Sequence, residues 1–286
     1  MELTPRLQLA ADFCLPCESV IDVGCDHAYL CLYLVEQGAE RASASDIRPG
    51  PLEAAKAHIE ACGRSDRVRA VLCPGLEAFG PDDADTISIC GMGGEMIASI
   101  LEAAPWTAKG DHKLVLQPMT NGHRLRKWLS DNGYTVQREQ LAREGHRLYV
   151  VLQARGGRKD ACGAENGYLF TEKLLTDPLF PEYAGKLREK YEKSRAGKLS
   201  AGVDTSEEDE ILKSTFTDFE LEIEGPEGSE YTPPGGGSSD DGSGEEVDYD
   251  NVLPEDPALT EGILFRETFT DGSLINADAS GVAKAD

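Results

Sequence analysis

The chain has 286 residues and a formal charge of −24, from 28 Lys and Arg against 52 Asp and Glu. The imbalance is local: residues 201–286 carry 3 basic and 24 acidic side chains, so the first 200 residues are close to neutral and the total does not exclude a polyanionic partner. Eight cysteines scattered through apolar segments fit a reduced cytoplasmic protein rather than a disulfide framework; the N-terminus shows no apolar signal core and no apolar run reaches about 18 residues, so secretion and membrane spanning are not expected.

In chain order, residues 2–14 place Leu7, Ala10 and Ala11 at helical spacing behind a Thr4-Pro5 start. Short apolar runs then alternate with longer helical patterns. The runs are SVIDV (19–23), ASASD (42–46), VRAVL (68–72), TISIC (86–90) and KLVLQ (113–117). Between them lie AYLCLYLVEQG, LEAAKAHIEACG, EMIASILEAA and HRLRKWLSDNG, some closing on the glycine that left-handed caps prefer. Runs with little alternation predict strands buried on both faces, hence a doubly wound, mostly parallel α/β sheet. YTVQREQLAREGHRLYVVLQA (134–154) then reads as a hairpin about Glu144-Gly145, adding an antiparallel edge typical of class I S-adenosylmethionine methyltransferases and giving seven strands in all.

The pair Cys14 and Cys17, as C-L-P-C, lacks the second pair a zinc site needs, so no metal is expected. Residues 163–200 return to helical composition, with basic residues at Lys186, Arg188, Lys190, Lys193, Arg195 and Lys198. Residues 201–224 keep Ile211, Leu212, Phe216, Phe219 and Leu221, which allows another helix. Residues 225–250 are Gly, Ser, Pro and acid and should be disordered, and ILFRETFTDG beyond them reads as a strand or hairpin without an assigned role. The expected organisation is a cofactor-binding domain over 1–160, a helical, coiled-coil-like domain over 161–224 and an acidic, largely disordered tail over 225–286.

The chemistry concentrates where VIDV ends in GCDHAYL. Gly24 lets the backbone approach a ligand at the carboxyl end of the sheet, but Asp26 stands where a dinucleotide fingerprint has its second glycine. Asp22 and Asp26 would repel a pyrophosphate and instead suit a ligand bearing an ammonium and a sulfonium, as S-adenosyl-L-methionine does. Asp46, closing the second strand, fits an acceptor for ribose hydroxyls. The alternative is that these acids only cap the helices that follow. Gly91, Gly93 and Gly94 crowd the end of the fourth strand, either as a tight strand–helix turn or as a backbone platform for a flat base.

VIDVGCDHAYL, GMGGEMI, LVLQP and LRKWLSDNGY, in this order and spacing and with an opening LTPRL, resemble the bacterial tRNA (adenine(22)-N1)-methyltransferase family over residues 2–200. The resemblance implies a class I methyltransferase domain followed by a helical domain, S-adenosyl-L-methionine as cofactor, and tRNA as partner of a cytoplasmic, monomeric enzyme. It implies cofactor contacts at Arg6, Asp22, Gly24, Asp26, His27, Asp46, Ile47, Gly75, Leu76, Gly91, Met92 and Gly93. Arg6 is either a partner of the cofactor carboxylate or a surface arginine. Adenine N1 carries a lone pair and no proton, so transfer needs alignment, exclusion of water and stabilisation of a cationic product rather than a general base. Asp26 is the catalytic candidate on those grounds, with cofactor orientation as its competing role. His27 is either a substrate contact or a locally bonded helix-start residue. Gln117 and Pro118 border the same edge as candidate substrate contacts, and Arg124, Arg126, Lys127, Lys186 and Lys190 are the candidates for RNA contact. The acidic tail is expected to repel RNA or to compete for those basic residues. The chain departs from the family pattern at Cys73-Pro74, before Gly75-Leu76, and at Met119. Rival readings are a methyltransferase acting on another RNA or a small molecule, and a non-catalytic interaction protein that retains the fold.

Overall fold

The structure is a computed structural model and describes residues 1–157 and 168–216. The expectations for residues 225–286, for Phe219 and Leu221, and for Cys162 lie outside the described residues. The elements run α1 (Pro5–Cys14), β1 (Ser19–Val23), α2 (Tyr29–Glu36), β2 (Arg41–Asp46), α3 (Pro49–Ala61), β3 (Val68–Leu72), β4 (Thr86–Met92), α4 (Gly94–Glu102), α5 (Trp106–Lys109), β5 (Lys113–Pro118), α6 (Gly122–Asp131), β6 (Tyr134–Glu144) and β7 (Arg147–Gly156). A 3-10 turn (Glu172–Leu174) and the helices α7 (Phe180–Ser200) and α8 (Ser206–Phe216) complete the described chain.

The seven strands form one sheet in the order β3-β2-β1-β4-β5-β7-β6. Pairing is parallel through β5, and β7 is antiparallel to both its neighbours. This is the doubly wound class I methyltransferase sheet expected, with its antiparallel end. β1 is buried at every position because helices cover both faces, which is why its apolar residues show little alternation. On one face α1, α2 and α3 pack Phe13, Leu32 and Ile59 against Val20 and Val115. On the other, α4 and α6 pack Ile97, Leu101, Leu125 and Leu129 against Ile87, Ile89 and Leu116, and Phe180, Ile211 and Phe216 of the helical segment join the same core.

One sequence expectation needs correction, and two features go beyond the sequence reading. The stretch from 168 to 179 is not helical apart from the 3-10 turn; Leu169, Phe170 and Leu174 are buried there and Asp177 accepts from Leu141 N at 2.8 Å, so α7 starts only at Phe180. The short helix α5 was not anticipated, because one turn offers no periodicity to detect. Lys113 is also buried rather than exposed at a strand start: its Nζ donates to Cys14 O and Pro16 O, both at 2.7 Å, satisfying carbonyls that the end of α1 leaves free.

Candidate functional site

The carboxyl ends of β1, β2, β4 and β5 meet at one edge. Gly24, at φ +76°, donates its N–H to Ser45 O at 2.8 Å and Cys25 N donates to the same oxygen at 3.0 Å, which fastens the turn after β1 to the end of β2. A Cβ on Gly24 would overlap the Met92 methyl, so the β1 and β4 turns close on each other directly. Gly91 is also left-handed, at φ +78°, and its N–H donates to Gln117 Oε1 at 3.0 Å. Gly94 sits where a Cβ would come within 2.5 Å of Asn121 O, and its N–H donates to Thr120 O at 2.8 Å. Gly94 is therefore required by close backbone approach, and Gly24 and Gly91 by their left-handed backbone.

Asp22 lies on the floor of this edge, 5% exposed, and burial pushes its carboxyl up to about 7 against the opposing hydrogen bond from Ser88. Its charge faces thiols: burial and then Asp22 push Cys25 and Cys90 up to about 12, and Cys31 and Cys14 are raised by the same influences. Cys17 is pushed up to about 11 by burial and by Asp85, so the C-L-P-C thiols are neutral and poorly nucleophilic. Asp46 is buried as well; its Oδ1 accepts from Arg48 N at 2.8 Å and turns the chain into α3. Ile47, next to it, is 43% exposed, and Leu72 at the end of β3 is 57% exposed, leaving an apolar lip beside Asp46. Gly75, at φ +51°, and buried Leu76 pack beneath that lip against α4 through Ile100.

Asp26 is placed differently from Asp22. It stands at the outer lip at φ +48°, with its side chain 74% exposed and Oδ1 3.7 Å from His27 Nε2. His27 is half exposed, its carbonyl accepts from His58 Nδ1 at 2.8 Å, and Tyr29 lies between the two rings. The two acids thus bracket the turn from below and from outside.

Gln117 and Pro118 are buried and present no surface to a substrate, a correction to their reading as substrate contacts. Gln117 is a brace: Oε1 accepts from Arg6 Nη1 at 2.8 Å and from Gly91 N, and Nε2 donates to Pro118 O at 3.0 Å. Arg6 is accordingly a half-buried residue of the edge and not a surface arginine. Arg126 is the other correction. It is 2% exposed and paired with Glu139 at 0%, whose other oxygen accepts from Thr171 N at 2.9 Å and Thr171 Oγ1 at 2.7 Å. Arg126 Nη1 also reaches Tyr168 O, and the Tyr183 hydroxyl bonds the guanidinium, so this ion pair ties α6, β6 and the start of the helical segment together. Sequence shows the charge but not the partner 13 positions away on another element.

The remaining basic candidates are exposed but largely paired. Arg124 pairs with Glu95, Lys127 with Asp131, and Lys186 with Glu182 at 3.1 Å while donating to His146 O at 2.6 Å. Lys190 is exposed on α7, close enough to lower the pKa of His123 together with Arg124 and Arg126, while burial is the larger cause. Acids of α8 occupy part of the basic face of α7: Glu208 takes Lys198 and Ser194, and Asp209 takes Arg195. Residues that sequence reasoning missed at this edge are Ser88, Glu144 and Tyr149. Ser88 is hidden inside a strand, and Glu144 reads only as a turn residue.

A sheet of this order, with two left-handed glycine turns closing over a buried acid and a second acid ending the next strand, belongs to a class I methyltransferase. The family model described as a methyltransferase domain matches residues 3–152. The Bacillus subtilis tRNA (adenine(22)-N(1))-methyltransferase is 35% identical over 179 residues, covering 62% of this chain and 74% of that protein. The crystal structure of the Bacillus subtilis m1A22 tRNA methyltransferase superposes with a TM-score of 0.65 at 31% identity, covering 77% of this chain and 97% of that one. A Streptococcus pneumoniae protein, provisionally described as a tRNA (m1A22) methyltransferase and solved with S-adenosyl-L-methionine, gives 0.63 at 32% identity, covering 74% and 97%. The chain belongs to the tRNA (adenine(22)-N1)-methyltransferase family.

The residues present fit that cofactor. Asp22 is a buried carboxylate that, among the described residues, has a hydroxyl and no cation to offset its burial, and a cationic ligand supplies one. Left-handed Gly24 and Gly91 carry no side chain at the ends of β1 and β4, where backbone must meet ligand. Arg6 has a buried Nε without a hydrogen-bond partner beside the same turn.

Proposed function

We propose that this protein transfers the methyl group of S-adenosyl-L-methionine to N1 of an adenine in tRNA, at position 22, by the family to which it belongs. The geometry that carries the reading is the closure of left-handed Gly24 and Gly91 around Met92 above buried Asp22. The bound cofactor supplies an electrophilic methyl on a sulfonium. Asp22 faces the cationic part of the ligand, Asp46 the ribose hydroxyls, and the Ile47 lip the adenine ring. Gly91 and Gly93 offer the target base a backbone edge without side chains. Asp26, exposed at the lip, accepts from the exocyclic amine of the target adenine and stabilises the positive charge that develops on its ring. Its competing role is to orient the cofactor, and Asp26→Asn with binding and turnover measured separately distinguishes the two. Because N1 lies on the Watson–Crick edge, the base must leave its stack to reach this edge.

RNA contacts are assigned to Arg124, Lys127, Lys186 and Lys190, on α6 and α7 beside the β5–α6 turn. Their acidic neighbours make this a mixed surface, so RNA binding should be moderate and steeply salt-dependent. The functional division is a methyltransferase domain over 1–160 and a helical domain over 161–224, acting as a cytoplasmic monomer; among the described residues no helix is long and apolar enough to cross a membrane. The test is methyl transfer from labelled S-adenosyl-L-methionine to unmodified tRNA, followed by nucleoside analysis. A 1-methyladenosine product that disappears when adenine 22 is replaced supports the proposal. Cofactor binding with no RNA product refutes it and moves the substrate elsewhere.

A further inference from the structure

We propose that Glu144 is a positioning residue: through Arg6 it fixes the β6–β7 hairpin tip, and with it α7, against the Gly91 turn. The proposal rests on the reading of this edge as the methyl-transfer site and of α7 as an RNA contact. Arg6 lies in the first turn of α1, where backbone N–H groups have no helical acceptor and Thr4 supplies no side-chain cap. Glu144, 138 positions away, provides the acceptor: Oε1 takes Arg6 N at 3.0 Å and lies 3.8 Å from Arg6 Nε. The guanidinium stands over the Tyr149 ring at 5.3 Å and passes Nη1 to Gln117 Oε1, the oxygen that also holds Gly91 N.

On its other side the hairpin tip is clasped to α7. Arg143 pairs with Glu182, and Lys186 donates to His146 O while pairing with Glu182. A continuous path therefore runs from Gly91 through Gln117, Arg6 and Glu144 to the hairpin and the helix that carries Lys186 and Lys190. Both partners of the Arg6–Glu144 pair are about a quarter exposed, so as a stabilising ion pair it is worth little. Its consequence is geometric: it sets the distance between the RNA-facing wall and the methyl-donor turn, and misplacement of about 1 Å at such a junction costs up to about a hundredfold in rate.

The experiment uses the full chain with Glu144→Ala and Glu144→Gln. Glu144→Ala is expected to lower kcat/KM for tRNA by about tenfold while the Kd for S-adenosyl-L-methionine stays within about twofold. Glu144→Gln recovers most of the loss, because its amide oxygen still accepts from Arg6 N–H. Hydrogen exchange, read without RNA, is expected to quicken in Glu144→Ala both at the hairpin tip and at the Gly91 turn. Faster exchange confined to the tip overturns the proposal. So does a loss of cofactor affinity equal to the loss of rate, which would place the whole effect in cofactor binding. If wild-type protein proves inactive on tRNA, the functional reading fails alone, and the exchange measurement still decides the coupling.

Discussion

Asp22 should make cofactor affinity depend on pH in a direction fixed by its burial. Its folded carboxyl is pushed from 3.8 to about 7. A shift of about three units corresponds to at most about 4 kcal/mol by which the empty site disfavours the charged form. The raised value means that this group's contribution to stability is complete below the unfolded pKa and is lost as pH rises through about 4 to about 7. A cation beside the carboxylate reverses that loss, so binding of S-adenosyl-L-methionine releases a proton below pH 7. Affinity should rise by up to about tenfold per pH unit from about 5.5 to 7 and then level off. Calorimetric titration in buffers of different ionisation enthalpy measures both the affinity and the proton. Asp22→Asn should abolish the slope and the proton release, and should make the apo protein's thermal stability less dependent on pH over the same window. A flat affinity profile in the wild type, or an unchanged slope in Asp22→Asn, would refute the argument that the acid faces the cationic ligand.

Arg126→Leu strands Glu139 in the core and should cost about 3–5 kcal/mol, lowering Tm by on the order of 10 °C. The double variant Arg126→Leu/Glu139→Leu should regain part of that in the same thermal scan, and a double variant no better than the single would count against the pairing. Gly94→Ala forces the β4–α4 and β5–α6 backbones apart and should cost about 1–3 kcal/mol, with a disproportionate fall in methyl transfer measured alongside thermal unfolding. Glu208→Gln with Asp209→Asn frees Lys198 and Arg195, and should tighten tRNA binding by about two- to fivefold at low salt, an advantage that a filter-binding assay should see vanish as salt is raised.

The sheet was legible because its central strands are buried on both faces: β1 begins and ends where its apolar run does, and β4 exceeds its run only by the two residues of its glycine turn, while the partly exposed edge strand β3 still matches its run over 68–72. The glycine and acid turns were legible because they break the rules of an ordinary strand–helix junction. What stayed hidden depends on partners distant in sequence. A lysine opening a strand gives no sign that two carbonyls at the end of α1 await it, as they do for Lys113. A basic run on α6 gives no sign that its middle member faces inward, as Arg126 does. Nor does a glutamate before a glycine turn reveal that it caps a helix 138 positions earlier.

The first helix is fastened at both ends by the same strand: Arg6 reaches Gln117 at one end of β5, and Lys113 holds Cys14 and Pro16 at the other. During synthesis those anchors are added 99 and 111 positions after the residues they hold. Val20 of β1 and Leu32 of α2 follow α1 closely and cover part of its apolar face, but its two ends are pinned only once the fifth strand has been made. Domains otherwise tend to organise from the N-terminus as they are made. Here α1 is made well before either of its anchors, and the interval is a window in which the nascent chain is open to chaperones and to misassembly.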